Sequence, residues 1–309
     1  MSANGLAFHQ ASTAIDTIRI PGLGSFSFDP GEQVDNFEEP GIVQLHMAAV
    51  TRANPMATLT TRALATLLNG TTGLFKDSAT SPNSDEFPMR VLDGTNGLVA
   101  IDAQAFPSKP GNNTGSVHRQ IAMPAGLAYL SGLSWSQDSP VQASIGIMGR
   151  STDGTTVPWA ETAVAAPTIT AVKDAWTLES VTFAGTNQAN IQSCNLAINC
   201  NARQVRANGL PYPNLITAAG QGGAGAINWS FELRDLAAAA ALHRTTGLLV
   251  VVLKNYAHGG GLGANTLTFT CYGSFGIRRG RSSGPDTMDS ISFQCLDDGT
   301  HKPLAWDYA

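Results

Sequence analysis

The stretch His258-Gly259-Gly260-Gly261-Leu262-Gly263 has the composition of an oxyanion-hole strip. There, glycine lets backbone N–H groups converge on a developing negative charge. Such a strip works only beside a nucleophile, which an esterase presents in a G-x-S-x-G strand-to-helix elbow. The chain has no such pentapeptide; the nearest, GLSWS at 132–136, ends in serine and is not followed by a helical pattern. The six residues therefore read as a hairpin turn whose glycines supply positive φ. Other chemistries lack their parts too. GTTGLFK at 70–76 lacks the phosphate-loop spacing. His9, His46, His118, His243, His258 and His301 are scattered, with no carboxylate or second histidine at metal-ligand spacing. Glu38-Glu39 and Asp297-Asp298 are adjacent, so their side chains diverge on a strand and do not make a paired acid and base. Cys194, Cys200, Cys271 and Cys295 form no C-x-x-C pair and read as reduced thiols in a core. No catalytic group, cofactor or metal is expected.

Charged residues make up only 13% of the 309 positions, against about 25% in an average soluble domain. So thin a charged surface points to burial against other protein. The net charge is −5 and the longest basic run is Arg278-Arg279-Gly280-Arg281, which excludes a reader of duplex DNA. No run of 18 apolar residues is present, and residues 1–12 have no basic segment followed by an apolar one. A membrane span and a cleaved secretion signal are not expected, and synthesis in the cytoplasm is.

The elements that would position any site occur twice. Residues 25–45 and 195–216 each run from a short alternating strand through a polar loop to a second apolar stretch. Phe26 and Phe28 correspond to Leu196 and Ile198, and Pro40 to Pro213. A helix is predicted next in each half, over 54–70 and 228–247. Asn54 and Pro55 open the first, Leu59, Ala63, Leu64 and Leu67 form its stripe, and five alanines strengthen the second. Further on, Gly97-Leu98 matches Gly247-Leu248, Gly126 matches Gly276 and Gly149 matches Gly299, each 150 positions later and without a gap. The alternation of Leu267, Phe269 and Cys271 predicts a half-buried strand, and the apolar run 247–253 one covered on both faces. The fold class expected is mainly β with one helix per unit (α+β), as two tandem sandwich or barrel domains over 1–165 and 166–309. Residues 76–97 are polar, lack a counterpart and read as an exposed insertion.

The segment 180–242, SVTFAGTNQANIQSCNLAINCNARQVRANGLPYPNLITAAGQGGAGAINWSFELRDLAAAAAL, resembles the tail tube proteins of long-tailed bacteriophages in its order of strand, long polar loop, returning strand and helix. The resemblance covers the second half directly and the first half through the repeat. It implies six tube domains per ring, an inner wall made of a continuous β-barrel, and rings stacked around a lumen that passes DNA. It implies a homo-oligomer that also meets other tail proteins and the tape measure protein, located in the virion tail. Two fused tube domains per chain imply three chains per ring in place of six. The loops 29–41 and 201–213 would then carry contacts between rings. Glu32, Asp35, Glu38 and Glu39 lie on the first, and Arg203 and Arg206 on the second. Two other classes fit less well: a neck, tail-tip or head protein of the virion, and a carbohydrate-binding β-sandwich. Against the latter, Trp135, Trp159, Trp176, Trp229 and Trp306 are dispersed.

Overall fold

Alternation builds most of this molecule. In the run IQSCNLAI, residues 191–198, Cys194, Leu196 and Ile198 are buried while Asn195 faces out, the period-two pattern of a half-buried strand. The computed structural model describes residues 12–16, 18–37, 47–75, 88–93, 97–102, 118–164, 174–218, 227–234, 241–257, 260–278 and 288–309. The first half contains β1 (Ser12–Ile15), β2 (Ile18–Ile20), β3 (Leu23–Asp29), β4 (Gln33–Phe37), β5 (Met47–Arg52), β6 (Met56–Thr61), α1 (Leu64–Leu68), β7 (Met89–Leu92), β8 (Leu98–Asp102), β9 (His118–Met123), β10 (Gly126–Ser136), β11 (Ser139–Gly149) and β12 (Ala160–Val164). The second contains β13 (Trp176–Phe183), β14 (Thr186–Asn187), β15 (Ile191–Ile198), β16 (Ala202–Val205), β17 (Leu215–Ala218), β18 (Ile227–Leu233), β19 (Thr246–Tyr256), β20 (Leu262–Arg278), β21 (Asp289–Cys295) and β22 (Ala305–Tyr308).

The fold is mainly β and antiparallel. One sheet has the order β12-β9-β8-β1-β2. A larger one runs β14-β13-β19-β20-β21-β18-β15-β10-β11-β6-β3, with β22 also on β20 and β7 on β10. Two ribbons, β4–β5 and β16–β17, stand apart from both.

The same partners recur in the two halves. Ile15 faces Ile18 and Leu98, as Phe183 faces Thr186 and Leu249. Leu98 faces Met123 as Leu249 faces Cys271. Ala122 faces Ala160 as Thr270 faces Ala305. Phe26, Leu59 and Ile145 form a row across β3, β6 and β11, matched by Leu196, Trp229 and Phe293 across β15, β18 and β21. The turns agree as well. Asp16 and Ala184 take φ of 50° and 47° between the first two strands of each half. Arg62 N donates to Gly22 O and Arg234 N to Asn190 O, both at 3.3 Å. In the second half, β20 does in one strand what β9 and β10 do in two, because Pro124 and Ala125 interrupt the first-half strand.

Several sequence expectations change. Residues 56–61 and 227–233 are strands, where the sequence predicts helices running through them. Ala57, Leu59 and Thr61 are buried and alternate with more exposed neighbours, and so do Trp229, Phe231 and Leu233. Period two thus prevails over the helical stripe, and α1 begins only at Leu64, with Leu64, Leu67 and Leu68 buried. The alanines Ala237 to Ala240 lie outside the described residues. The gap-free spacing of 150 does not hold in the strand pairing. Gly276 pairs with Ser292 as Gly132, not Gly126, pairs with Ser144. The 76–97 segment is not wholly an exposed loop, since β7 pairs with β10 and buries Leu92. The hairpin expected from the triple glycine is present in its described part, with Gly260 and Gly261 at positive φ between β19 and β20. Leu267, Phe269 and Cys271 are fully buried as predicted, and all four cysteines are free thiols, Cys200 half-buried and the rest buried.

Candidate assembly surface

The two halves meet edge to edge. β10 pairs with β15 from Gly132↔Ala197 through Leu133↔Leu196 to Ser136↔Ser193. At Gly132 a side chain has no room, because a β-carbon there would overlap the carbonyl oxygen of Leu196. Next to this junction Leu130 N donates to Pro88 O at 3.0 Å, so the edge of β10 opens to β15 only beyond Leu130. On one face of the joined strands Leu133 and Leu196 enter the core; on the other Ser134 and Asn195 face solvent. Trp135 Nε1 adds a hydrogen bond to Thr177 Oγ1 of β13 at 3.1 Å.

A ribbon makes the second contact. The loop predicted at 201–213 contains β16, which with β17 forms a hairpin arm lying on the first half. Gln204 Nε2 donates to Pro55 O at 3.0 Å and Gly149 O at 2.6 Å. Ala53 N donates to Pro211 O at 3.1 Å, Ser151 N to Pro213 O at 2.7 Å, and Tyr212 N to Gly154 O at 3.2 Å. The tip covers a tight turn: a β-carbon on Gly154 would overlap the Leu210 side chain.

That turn is built by Asp153, whose Oδ1 accepts from Thr155 N at 2.8 Å, Thr156 N at 2.7 Å and Ser151 Oγ at 2.9 Å. These bonds, led by the Thr156 backbone N–H, hold its carboxyl below the usual range. The second half repeats the device. Asp298 Oδ1 accepts from Thr300 N at 2.9 Å and His301 N at 2.6 Å, and Asp298 Oδ2 meets His301 Nδ1 at 2.9 Å. The His301 backbone bond is the main reason its carboxyl is lowered to about 2. Gly154 and Gly299 follow at φ of 82° and 79°.

The charged residues expected to act between rings are placed unevenly. Glu32 is exposed just before β4, and Asp35 lies within β4, so the 29–41 segment also forms part of a ribbon. Glu38 and Glu39 lie outside the described residues. Arg203 is exposed on β16. Arg206 is half-buried and donates to Asn54 Oδ1 and, at 3.4 Å, to Ala53 O, so its guanidinium serves the junction between the halves. The sequence reading missed Gly132, Asp153 and Asp298. Its available signal was the repeated D-G-T-x-x-P at 153–158 and 298–303. Among the described residues no helix is long and apolar enough to cross a membrane, and no cluster of three or more His, Cys, Asp or Glu could hold a metal. No protein-family model and no curated protein matches the chain.

Proposed function

We propose that this chain is a structural subunit of a bacteriophage tail tube, made of two tandem copies of one β-sandwich unit over 1–165 and 166–309. Three chains supply six units to a ring, and stacked rings enclose a lumen that conducts DNA during ejection. Its partners are its own copies, adjoining tail proteins, and the tape measure protein and DNA that pass through without specific binding.

One observation carries this reading. Two halves with the same strand partners join head to tail, through the β10–β15 edge and the docked ribbon. A contact between unlike faces of like units does not close on itself as a two-fold contact does. Repeated, it grows a ring or a filament. Sheets joined edge to edge around a ring also dispose of the open strands that would otherwise invite aggregation. The low charge content fits burial on several sides, and a net charge of −5 suits a lumen that must not grip phosphate.

Electron microscopy of the negatively stained, purified chain tests the reading. Rings with an open centre, stacking into tubes, are expected. A field of single compact particles at every concentration would overturn it.

A further inference from the structure

Among the described residues, the surfaces used between the two halves recur, uncovered, on β20 and β3. Gly132 and Gly276 hold equivalent places: Leu130↔Ile145 and Gly132↔Ser144 in β10–β11 match Phe275↔Phe293 and Gly276↔Ser292 in β20–β21. Phe275 N donates to Thr245 O at 2.9 Å, as Leu130 N does to Pro88 O, so both edges are capped up to the same point. Beyond it β10 carries β15, whereas among the described residues the edge of β20 at 276–278 carries nothing. A glycine mid-strand weakens a sheet unless something comes close. At Gly132 that something is the Leu196 carbonyl. At Gly276 a β-carbon would meet, among the described residues, only Ser292 Oγ, at 3.6 Å.

The opposite end is complementary. β3 is the outermost strand of the large sheet and is the counterpart of β15, since Phe26↔Leu59 matches Leu196↔Trp229. Leu196 and Ile198 are 1% and 3% exposed, yet their counterparts Phe26 and Phe28 are only partly buried. The ribbon surface agrees. Gly154 lies under Leu210 of the second ribbon, while a β-carbon on Gly299, on the matching turn, meets nothing within 4 Å among the described residues.

We infer that a second copy of this chain docks head to tail on these surfaces: its β3 pairs with the end of β20 in the register of the internal junction, and its β4–β5 ribbon lies over the Asp298–Gly299 turn. Carrying Gly132↔Ala197, Leu133↔Leu196 and Ser134↔Asn195 across gives Gly276 opposite Ser27, Ile277 opposite Phe26 and Arg278 opposite Ser25 of the neighbour. This deepens the assembly reading and rests on it only for the presence of a neighbouring copy.

The test is cysteine cross-linking in the full chain with Cys200→Ser, which leaves only buried natural thiols. Ser25→Cys and Arg278→Cys are made as separate variants, mixed and mildly oxidised. Ser134→Cys/Asn195→Cys in one chain reports on the same geometry internally. The expected result is a two-chain product whose disulfide joins position 25 of one copy to position 278 of the other. It should form several-fold more than from Ser27→Cys mixed with Arg278→Cys, and be absent from either variant alone. Gly276→Val should fold with unchanged thermal stability, because the single chain has room for it, and should abolish association. Rings or tubes seen by microscopy without the 25-to-278 cross-link would overturn this docking and leave the tube reading standing. The cross-link without rings would uphold the docking and overturn the tube. A chain that neither cross-links nor assembles would overturn both.

Discussion

The carbonyl oxygen of Leu196 occupies the place a β-carbon on Gly132 would need. The two residues lie on strands from different halves of the chain, and their closeness lets one sheet run through both. A side chain at 132 must push β15 off β10. Gly132→Val is therefore expected to lower stability by about 1–3 kcal/mol, the usual cost of overpacking a closed site. Chemical denaturation of this variant checks the figure. An unchanged midpoint would contradict the junction as described.

Gln204 anchors the second ribbon by donating one amide group to two first-half carbonyls, Pro55 O and Gly149 O. Gln204→Ala leaves both acceptors without that donor. A loss of about 1–3 kcal/mol is expected, with faster amide exchange at Gln204's neighbours Arg203 and Val205. Loss of stability without any change in exchange near the ribbon would place the effect elsewhere.

Arg203 and Arg206 should separate in behaviour. Arg206 binds Asn54 within the chain, so Arg206→Ala is expected to destabilise the monomer by about 1–2 kcal/mol. Arg203 is exposed, and under the tube reading its partners are acidic residues of the next ring, such as Glu32. Arg203→Glu should leave stability unchanged and stop rings from stacking. Tubes of normal length from Arg203→Glu would remove this residue from the contact between rings.

The acid response of the Asp298 turn has a definite sign. Hydrogen bonds from His301 and Thr300 favour the ionised carboxylate and lower its value to about 2. The turn's contribution is therefore fully present above the ordinary carboxylate range and is lost as pH falls through about 2. Carboxyl chemical shifts followed by NMR should show Asp298 titrating near 2. A midpoint in the usual range near 4 would mean that the turn does not form.

How much of this is legible in the sequence depends on how local the cause is. The burial of Leu267, Phe269 and Cys271 follows from alternation alone, and the β19–β20 hairpin from its glycines. Residues 56–61 read as helix because Leu59 fits two periods at once. What decides for β is pairing with β3 on one side and β11 on the other, contacts far away in sequence. The ribbons read as loops because β4 and β16 are short and polar. The even spacing of 150 misleads because the first half has four more residues between Met123 and Gly132, Ser131 among them, than the second has between Cys271 and Gly276, which displaces its glycines relative to the second. The junction itself leaves no local trace beyond Gly132, since nothing near β10 specifies that β15 will lie against it. The assembly surface is visible only as the repeated D-G-T turns, whose meaning needs the Leu210 contact over Gly154.

The mass of single assembled particles in solution, measured across a range of chain concentrations, tests head-to-tail growth most directly. Closed particles of three chains, and whole multiples of three as rings stack, are the predicted result. A species that stays at one chain, or a closed particle of two chains that grows no further, would contradict it.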